Sequence, residues 1–382
     1  MNRQSTKLIF PFLAMVVFCG CVRGEETIRE STLRRAAAME LPAFWVGDIK
    51  GLAARWDRIE NGTVRTIAIS PGGHPIHLVA YGEREELPRR ANFNSAVGSY
   101  DLSNFVDKAA REKPVVFIVG PVHGQEVEGL TGVVNLIEIM ETGRDLRGRD
   151  HSELRDLARQ VRLLIIPAGN PDGIARFKPR TANGMTPEEL QYWGMGTWKD
   201  GTIATWPASK GLHPFKGPEI EFMGCYFNDD GINPMHDEFF DPMGPEAPAI
   251  LKVATEEAPD LAVSLHSWDL APGILRPAYV PREIQEDIRR LADRHNRMMA
   301  EQGLPHRPLF EVREEAGDPP PSFNLTSALY HVSGASVFTH ETPVGAVRPD
   351  DPQIFSATFE QILDIQLTLY EAMFRHVLEK DS

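Results

Sequence analysis

Cysteine is nearly absent: the 382 residues contain three, Cys19, Cys21 and Cys225. The body of the chain can therefore build neither a disulfide framework nor a cysteine-ligated zinc site. Long apolar runs are missing as well, since beyond the first 18 residues no stretch is long enough to cross a bilayer. Positive charge is scarce: 40 Lys and Arg against 54 Asp and Glu leave a formal charge of -14, with no basic run interleaved with aromatics. That balance argues against nucleic acid or an anionic membrane surface as the main partner. No internal repeat and no low-complexity tract is present. What remains is ordinary globular composition, 42% hydrophobic and 25% charged, long enough to bury a sizeable core.

Arg3 and Lys7 precede an apolar run from Leu8 to Phe18, the pattern of a secretory signal. Phe18-Cys19-Gly20-Cys21 is similar to a lipobox, in which the last cysteine is lipidated; cleavage after Gly24 is the competing reading. The expectation is export to the cell envelope or beyond. Segment 1–21 would be the signal, 22–42 a charged tether or peripheral helix, and 43–380 one catalytic domain. Membrane contact is expected only through a lipid on Cys21. No pattern in the sequence speaks to oligomeric state.

From about Phe44 onward, strand-like and helix-like segments alternate. Thr63 to Tyr81 holds two alternating runs around Pro-Gly-Gly, the punctuation of a hairpin. Short apolar runs at 115–120, 161–167 and 260–265 read as strands buried on both faces, and Val337-Phe338-Thr339 belongs to a fourth. Helical periodicity marks 127–142, 246–257, 282–303 and 353–379. Interleaved strands and helices imply an α/β fold with a largely parallel or mixed sheet, whose ligand sites lie beyond the carboxyl ends of the strands. Intervals 174–259 and 305–323, rich in Gly and Pro, read as long surface loops of the kind that are often functional.

Four candidates for chemistry sit at strand ends. His123-Gly124-Gln125-Glu126 follows the strand 115–120, and a His and a carboxylate three residues apart can converge on one cation. With 12 histidines in the chain, such a pair is weak by itself, and a surface His-Glu pair is the bland alternative. His266 follows the run 260–265; taken with His123 and Glu126 it completes a ligand set suited to zinc. Glu341 arrives at the end of another strand, where an unpaired carboxylate is costly unless it has a partner or a role. The role would be to take a proton from water and deliver it to a leaving nitrogen. Asn170-Pro171-Asp172-Gly173 is turn chemistry, followed by Arg176 and Arg180, either of which can serve as a charge-assisted oxyanion donor.

The ordered set His123-Gly-Gln-Glu126, Asn170-Pro-Asp-Gly173, Phe227-Asn228, Leu265-His266-Ser267 and Thr339-His340-Glu341 resembles the zinc carboxypeptidase family. The resemblance spans about 330 residues. It implies a three-layer α/β/α fold with a mixed, mostly parallel sheet of about eight strands. It implies one Zn2+ per chain held by His123, Glu126 and His266, Glu341 as general base, and a peptide or small-molecule amide as substrate. Arg180 best matches the family's carbonyl-polarising arginine, with Arg176 second. Asn228 matches the first residue of the pair that grips a substrate carboxylate, but Asp229 stands where the second, an arginine, is expected. A carboxylate there would repel a substrate carboxylate by roughly one to several kcal/mol. Tyr330, or else Tyr279, matches the aromatic over the substrate. The leading expectation is a zinc-dependent hydrolase of peptide or amide bonds. An N-acyl amino acid deacylase and a zinc-retaining binding protein are the alternatives.

Overall fold

The computed structural model describes residues 26–87, 96, 98–100, 107–314, 321–347 and 355–380. The expected signal 1–21, with Cys21, lies outside the described residues, as does Asp318 in the proline-rich run. Nine strands are described: β1 (Thr63–Ile69), β2 (Pro75–Tyr81), β3 (Val115–Val119), β4 (Arg162–Ile166), β5 (Gly196–Trp198), β6 (Ile220–Met223), β7 (Leu261–Trp268), β8 (Gly273–Ile274) and β9 (Ser336–Pro343). Seven form one sheet in the order β1-β2-β4-β3-β7-β9-β8, close to the eight expected, and β5 and β6 pair separately. The four central strands, β4, β3, β7 and β9, run parallel to one another. The hairpin β1-β2 and the short β8 add antiparallel edges.

The parallel centre follows from composition. Every residue of β3 and β4 is buried, as continuous apolar strands must be when both faces of a sheet are covered. The pleat then divides each strand between two cores. Val116 and Ile118 face one core, shared with Leu136 of the helix Val127–Thr142 and Leu369 of the helix Phe359–Lys380. Val115, Phe117 and Val119 face the other, shared with Ile250 of the helix Glu246–Glu257 and Leu329 of the helix Leu325–Ser333. Helices on both faces make the three-layer α/β/α arrangement.

One reading of the sequence changes, and the choice of tether or peripheral helix for 22–42 is narrowed. The interval 174–259 is not loop throughout: it holds a helix, Pro187–Met195, the β5-β6 hairpin and a 3-10 turn, Pro234–His236. Thr186 caps that helix in a reciprocal box with Glu189, a signal short enough to be lost among glycines and prolines. The segment 22–42 contains the helix Ile28–Ala38, which docks on the same unit through a Trp193 Nε1–H to Thr32 Oγ1 bond of 3.0 Å and an Arg35–Glu189 ion pair.

His295 lies wholly buried between the sheet and its outer helices, with both ring nitrogens unpartnered among the described residues and its ring edge-on to His340. Burial, with a smaller contribution from His306, pushes its pKa from 6.5 down to about 3. The folded protein thus keeps His295 neutral where the unfolded chain takes up a proton. Stability is therefore lost as pH falls below about 6.5. At pH 5.5 the cost from this residue is about 1.4 kcal/mol. Urea titrations at pH 7.5 and 5.5 are expected to show this loss, and His295→Leu is expected to narrow the gap between the two midpoints.

Candidate active site

Because β4, β3, β7 and β9 are parallel, their carboxyl ends open on one edge of the sheet, and the candidate residues gather there. Val119 pairs with Ser264, and on the neighbouring ladder His266 pairs directly with Glu341. His266 lies within β7, which runs three residues beyond the 260–265 expected from the sequence. Glu341 likewise lies within β9.

His123 and Glu126 reach this edge through a tight turn after β3. Gly124 donates its N–H to the Cys225 carbonyl at 2.7 Å. A Cβ on Gly124 would fall 1.9 Å from the Gly173 carbonyl carbon, so only glycine allows the turn to lie against the Asn170–Gly173 turn. Asn170 caps the following short helix by accepting the Gly173 N–H at 2.9 Å and donates to the Tyr226 carbonyl. Asp172 accepts the N–H groups of Gly72 and Asp229. The Asn-Pro-Asp-Gly motif thus clasps three loops behind the site.

The donor atoms of His123, Glu126 and His266 lie within 4.8 Å of one another, and all three side chains are buried. His123 Nδ1 is 2.9 Å from Glu126 Oε1, and His266 Nδ1 is 3.0 Å from Glu126 Oε2. Burial opposes the Glu126 charge, but the two imidazoles outweigh it and hold the carboxyl at about 2. Burial also drives His123 down, whereas at His266 the Glu126 carboxylate overcomes burial and the pKa rises. The two rings are oriented by different means. Ser264 Oγ lies 3.0 Å from His266 Nε2, leaving Nδ1 to face inward. His123 Nε2 has no hydrogen-bond partner among the described residues; instead Tyr226 stacks on the ring at 3.7 Å with planes 2° apart. Two imidazole nitrogens and an ionised carboxylate, buried and convergent, fit a divalent cation such as zinc.

Glu341 stays partly accessible where it lines the adjoining pocket, while protein crowds its other sides. Burial raises its pKa to about 7, against the pull of His266 and with a further push from Glu126. That pocket, of about 320 Å³, is lined by His123, Glu126, His266 and Glu341 and by Trp206, Lys210, His236, Trp268 and Arg307, among others. Burial, reinforced by nearby cations, pushes His236 down to about 3. As expected, the long intervals supply walls, Lys210 from one and Arg307 from the other.

The remaining candidates are placed elsewhere. Arg180 does not line the pocket; its guanidinium sits 3.3 Å from Asp48 Oδ2, and its carbonyl accepts the Trp45 indole N–H. Arg176 donates to the carbonyls of Gly224 and Phe227 and pairs with Asp229. The Asp229 carboxylate is thereby paired and is not part of the pocket lining, so the arginine partner offsets the repulsion expected of it. Asn228 is spent on structure: it donates to Glu246 Oε2 and accepts the N–H groups of Asp230 and Ile232. Tyr330 is buried in the second core, and Tyr279 donates its hydroxyl to the Pro321 carbonyl. Neither tyrosine lines the pocket. Tyr226, Lys210 and Arg307 went unnoticed in the sequence because no motif spacing marks them.

A buried His-Glu-His cluster at the carboxyl edge of a mixed α/β/α sheet, with a carboxylate beside it, defines a metallohydrolase. A family model for zinc carboxypeptidase matches residues 57–271, more than half of the chain, and the chain belongs to the zinc carboxypeptidase family. It is a zinc metallopeptidase. Among solved structures it is similar to a metallo-carboxypeptidase from Burkholderia cenocepacia, at 14% identity over 87% of this chain and 70% of that one, TM-score 0.52. It is also similar to the carboxypeptidase A of Helicoverpa armigera, at 14% identity over 92% and 79%, TM-score 0.53. At such identity the likeness is one of fold. No curated protein matches the chain.

Ser264 fixes which nitrogen of His266 faces the cluster. Ser264→Ala is expected to weaken zinc binding by about 10- to 100-fold, measured by competition with a calibrated chelator, with little change in the thermal midpoint of the metal-free protein.

Proposed function

We propose that this chain hydrolyses an amide bond in a peptide or small-molecule amide, using one zinc ion held by His123, Glu126 and His266, with Glu341 as general base. The observation that supports it is the in-register pairing of His266 with Glu341 on neighbouring strands, which sets a carboxylate of raised pKa beside the ligand cluster. When bound, zinc supplies Lewis-acid activation of a water and of the scissile carbonyl. Glu341 accepts a proton from that water and returns it to the departing nitrogen, a task suited to a carboxyl whose pKa lies near working pH. Ser264 and Tyr226 hold the two imidazoles in place. No arginine is assigned to the oxyanion, because Arg180 and Arg176 are paired away from the pocket.

The pairing of Arg176 with Asp229 leaves no arginine at the Asn228-Asp229 position to grip a substrate carboxylate, whether that of a peptide C-terminus or of an N-acyl amino acid. Export to the cell envelope belongs to the same proposal and rests on the charged and apolar pattern of 1–21.

Purified protein is expected to bind zinc and to hydrolyse members of a panel of peptides and N-acyl amino acids, with activity lost to chelator and restored by zinc. Glu341→Gln is expected to keep its zinc and lose about 10²- to 10⁴-fold in kcat. Undiminished turnover by that variant, or a protein that takes up no zinc, sinks the proposal.

A further inference from the structure

We propose that the substrate is a small amide carrying two acidic groups, one bound by Lys210 and the other by Arg307. This rests on the hydrolase reading of the same pocket and deepens it. Both cations line the cavity that holds the ligand cluster and Glu341. Neither forms a salt bridge with a carboxylate among the described residues. Lys210 is partly buried, with its ammonium 5.2 Å from the Trp206 ring as its charge contact, and burial lowers its pKa. Arg307 is anchored by its stem: Nε donates to the Ala271 carbonyl at 2.7 Å and the backbone N–H to the Pro272 carbonyl at 2.9 Å. Its two terminal nitrogens make no hydrogen bond within the described residues, which leaves the forked end of a fixed guanidinium for a carboxylate.

Unpaired, partly desolvated cations are costly, and a site retains them where a ligand supplies the opposite charge. The two stand on different flanks. The charge of Lys210 bears on His123 and His236, and that of Arg307 on Glu341 and His340. Glu126 and Glu341 are the carboxylates that line the same cavity, and a divalent metal held by the cluster would add to its positive charge. A dianionic amide spanning the cavity, with one carboxylate toward Lys210 and the other toward Arg307, would offset that charge. The cavity of about 320 Å³ falls at the small end of ligand sites. Trp206 and Trp268, with ring centroids 5.9 Å apart, supply an apolar wall for the middle of the ligand.

Four compounds test this: N-succinylglycine, N-succinylglycinamide, N-acetylglycine and N-acetylglycinamide, which carry a carboxylate at both ends, one end, the other end and neither. Binding to the zinc-loaded Glu341→Gln protein is read by calorimetry, and kcat/KM by amine release from the native enzyme. Each carboxylate removed is expected to cost about 10²-fold or more in affinity. Lys210→Met and Arg307→Gln, checked for native zinc content and thermal midpoint, are each expected to erase the preference at one end only, and at different ends. Arg307→Lys, the gentler variant should Arg307→Gln misfold, keeps the charge but loses the fork and its anchor, and is expected to retain only part of the preference. Equal binding of all four compounds overturns the proposal, as does loss of preference at the same end in both variants. Tight binding of the diacid with no hydrolysis by the native enzyme upholds the charge recognition and defeats the hydrolase reading. Equal hydrolysis of the neutral and dianionic amides does the reverse.

Discussion

One buried carboxylate governs this molecule. Glu126 is almost fully enclosed and remains ionised, because two imidazoles meet its two oxygens. A charge so placed is stable only while both partners stay within hydrogen-bond reach, and they lie far apart in the chain, His123 on the turn after β3 and His266 within β7. The requirement passes outward. β3 and β7 must pair in parallel and in one register, so that the turn after Val119 lies beside His266. A slip of one residue would turn His266 to the opposite face of the sheet, toward apolar side chains.

The second constraint is closeness behind the cluster. The turn carrying His123 and Glu126 and the turn carrying Asn170 to Gly173 touch backbone to backbone at Gly124 and Gly173, and the carbonyl of Cys225 closes the third side. Backbone contact and shared hydrogen bonds tie the three loops to one another. Tyr226, the residue after Cys225, lies flat on His123, whose outer nitrogen has no hydrogen-bond partner among the described residues. One ligand is therefore held by a hydroxyl within its own strand and the other by a ring from a loop.

The parts legible in the sequence are those governed by local pattern. The helix Val127–Thr142 and the hairpin Thr63–Tyr81 follow from periodicity and punctuation. The strand cores follow from continuous apolar runs, and the ligand candidates from their position just past those runs. What stayed hidden depends on distant partners. The full length of β7 through His266, Ser267 and Trp268 is invisible as an apolar run, because polar residues continue the ladder beside β9. Arg176 and Arg180 share a short segment with no signal to say which faces the substrate; in the fold both turn away, toward Asp229 and Asp48. Lys210 and Arg307 stand among glycine- and proline-rich stretches where spacing carries no information, and only tertiary folding sets them on one cavity.

The fate of Asp229 links these observations. In the position where a substrate-gripping arginine is expected, a carboxylate has instead drawn Arg176 into a structural role, tied at the same time to the carbonyls of Gly224 and Phe227. Positive charge for substrate recognition then has to come from outside the strand-end motifs. The two long intervals supply it, one cation each, from loops whose sequences can change without disturbing the sheet. Metal chemistry is built on the parallel strands, where register leaves little freedom, and recognition is built on the loops, where it does. This division leaves the zinc carboxypeptidase framework intact and places the proposed recognition of substrate charge on the loops.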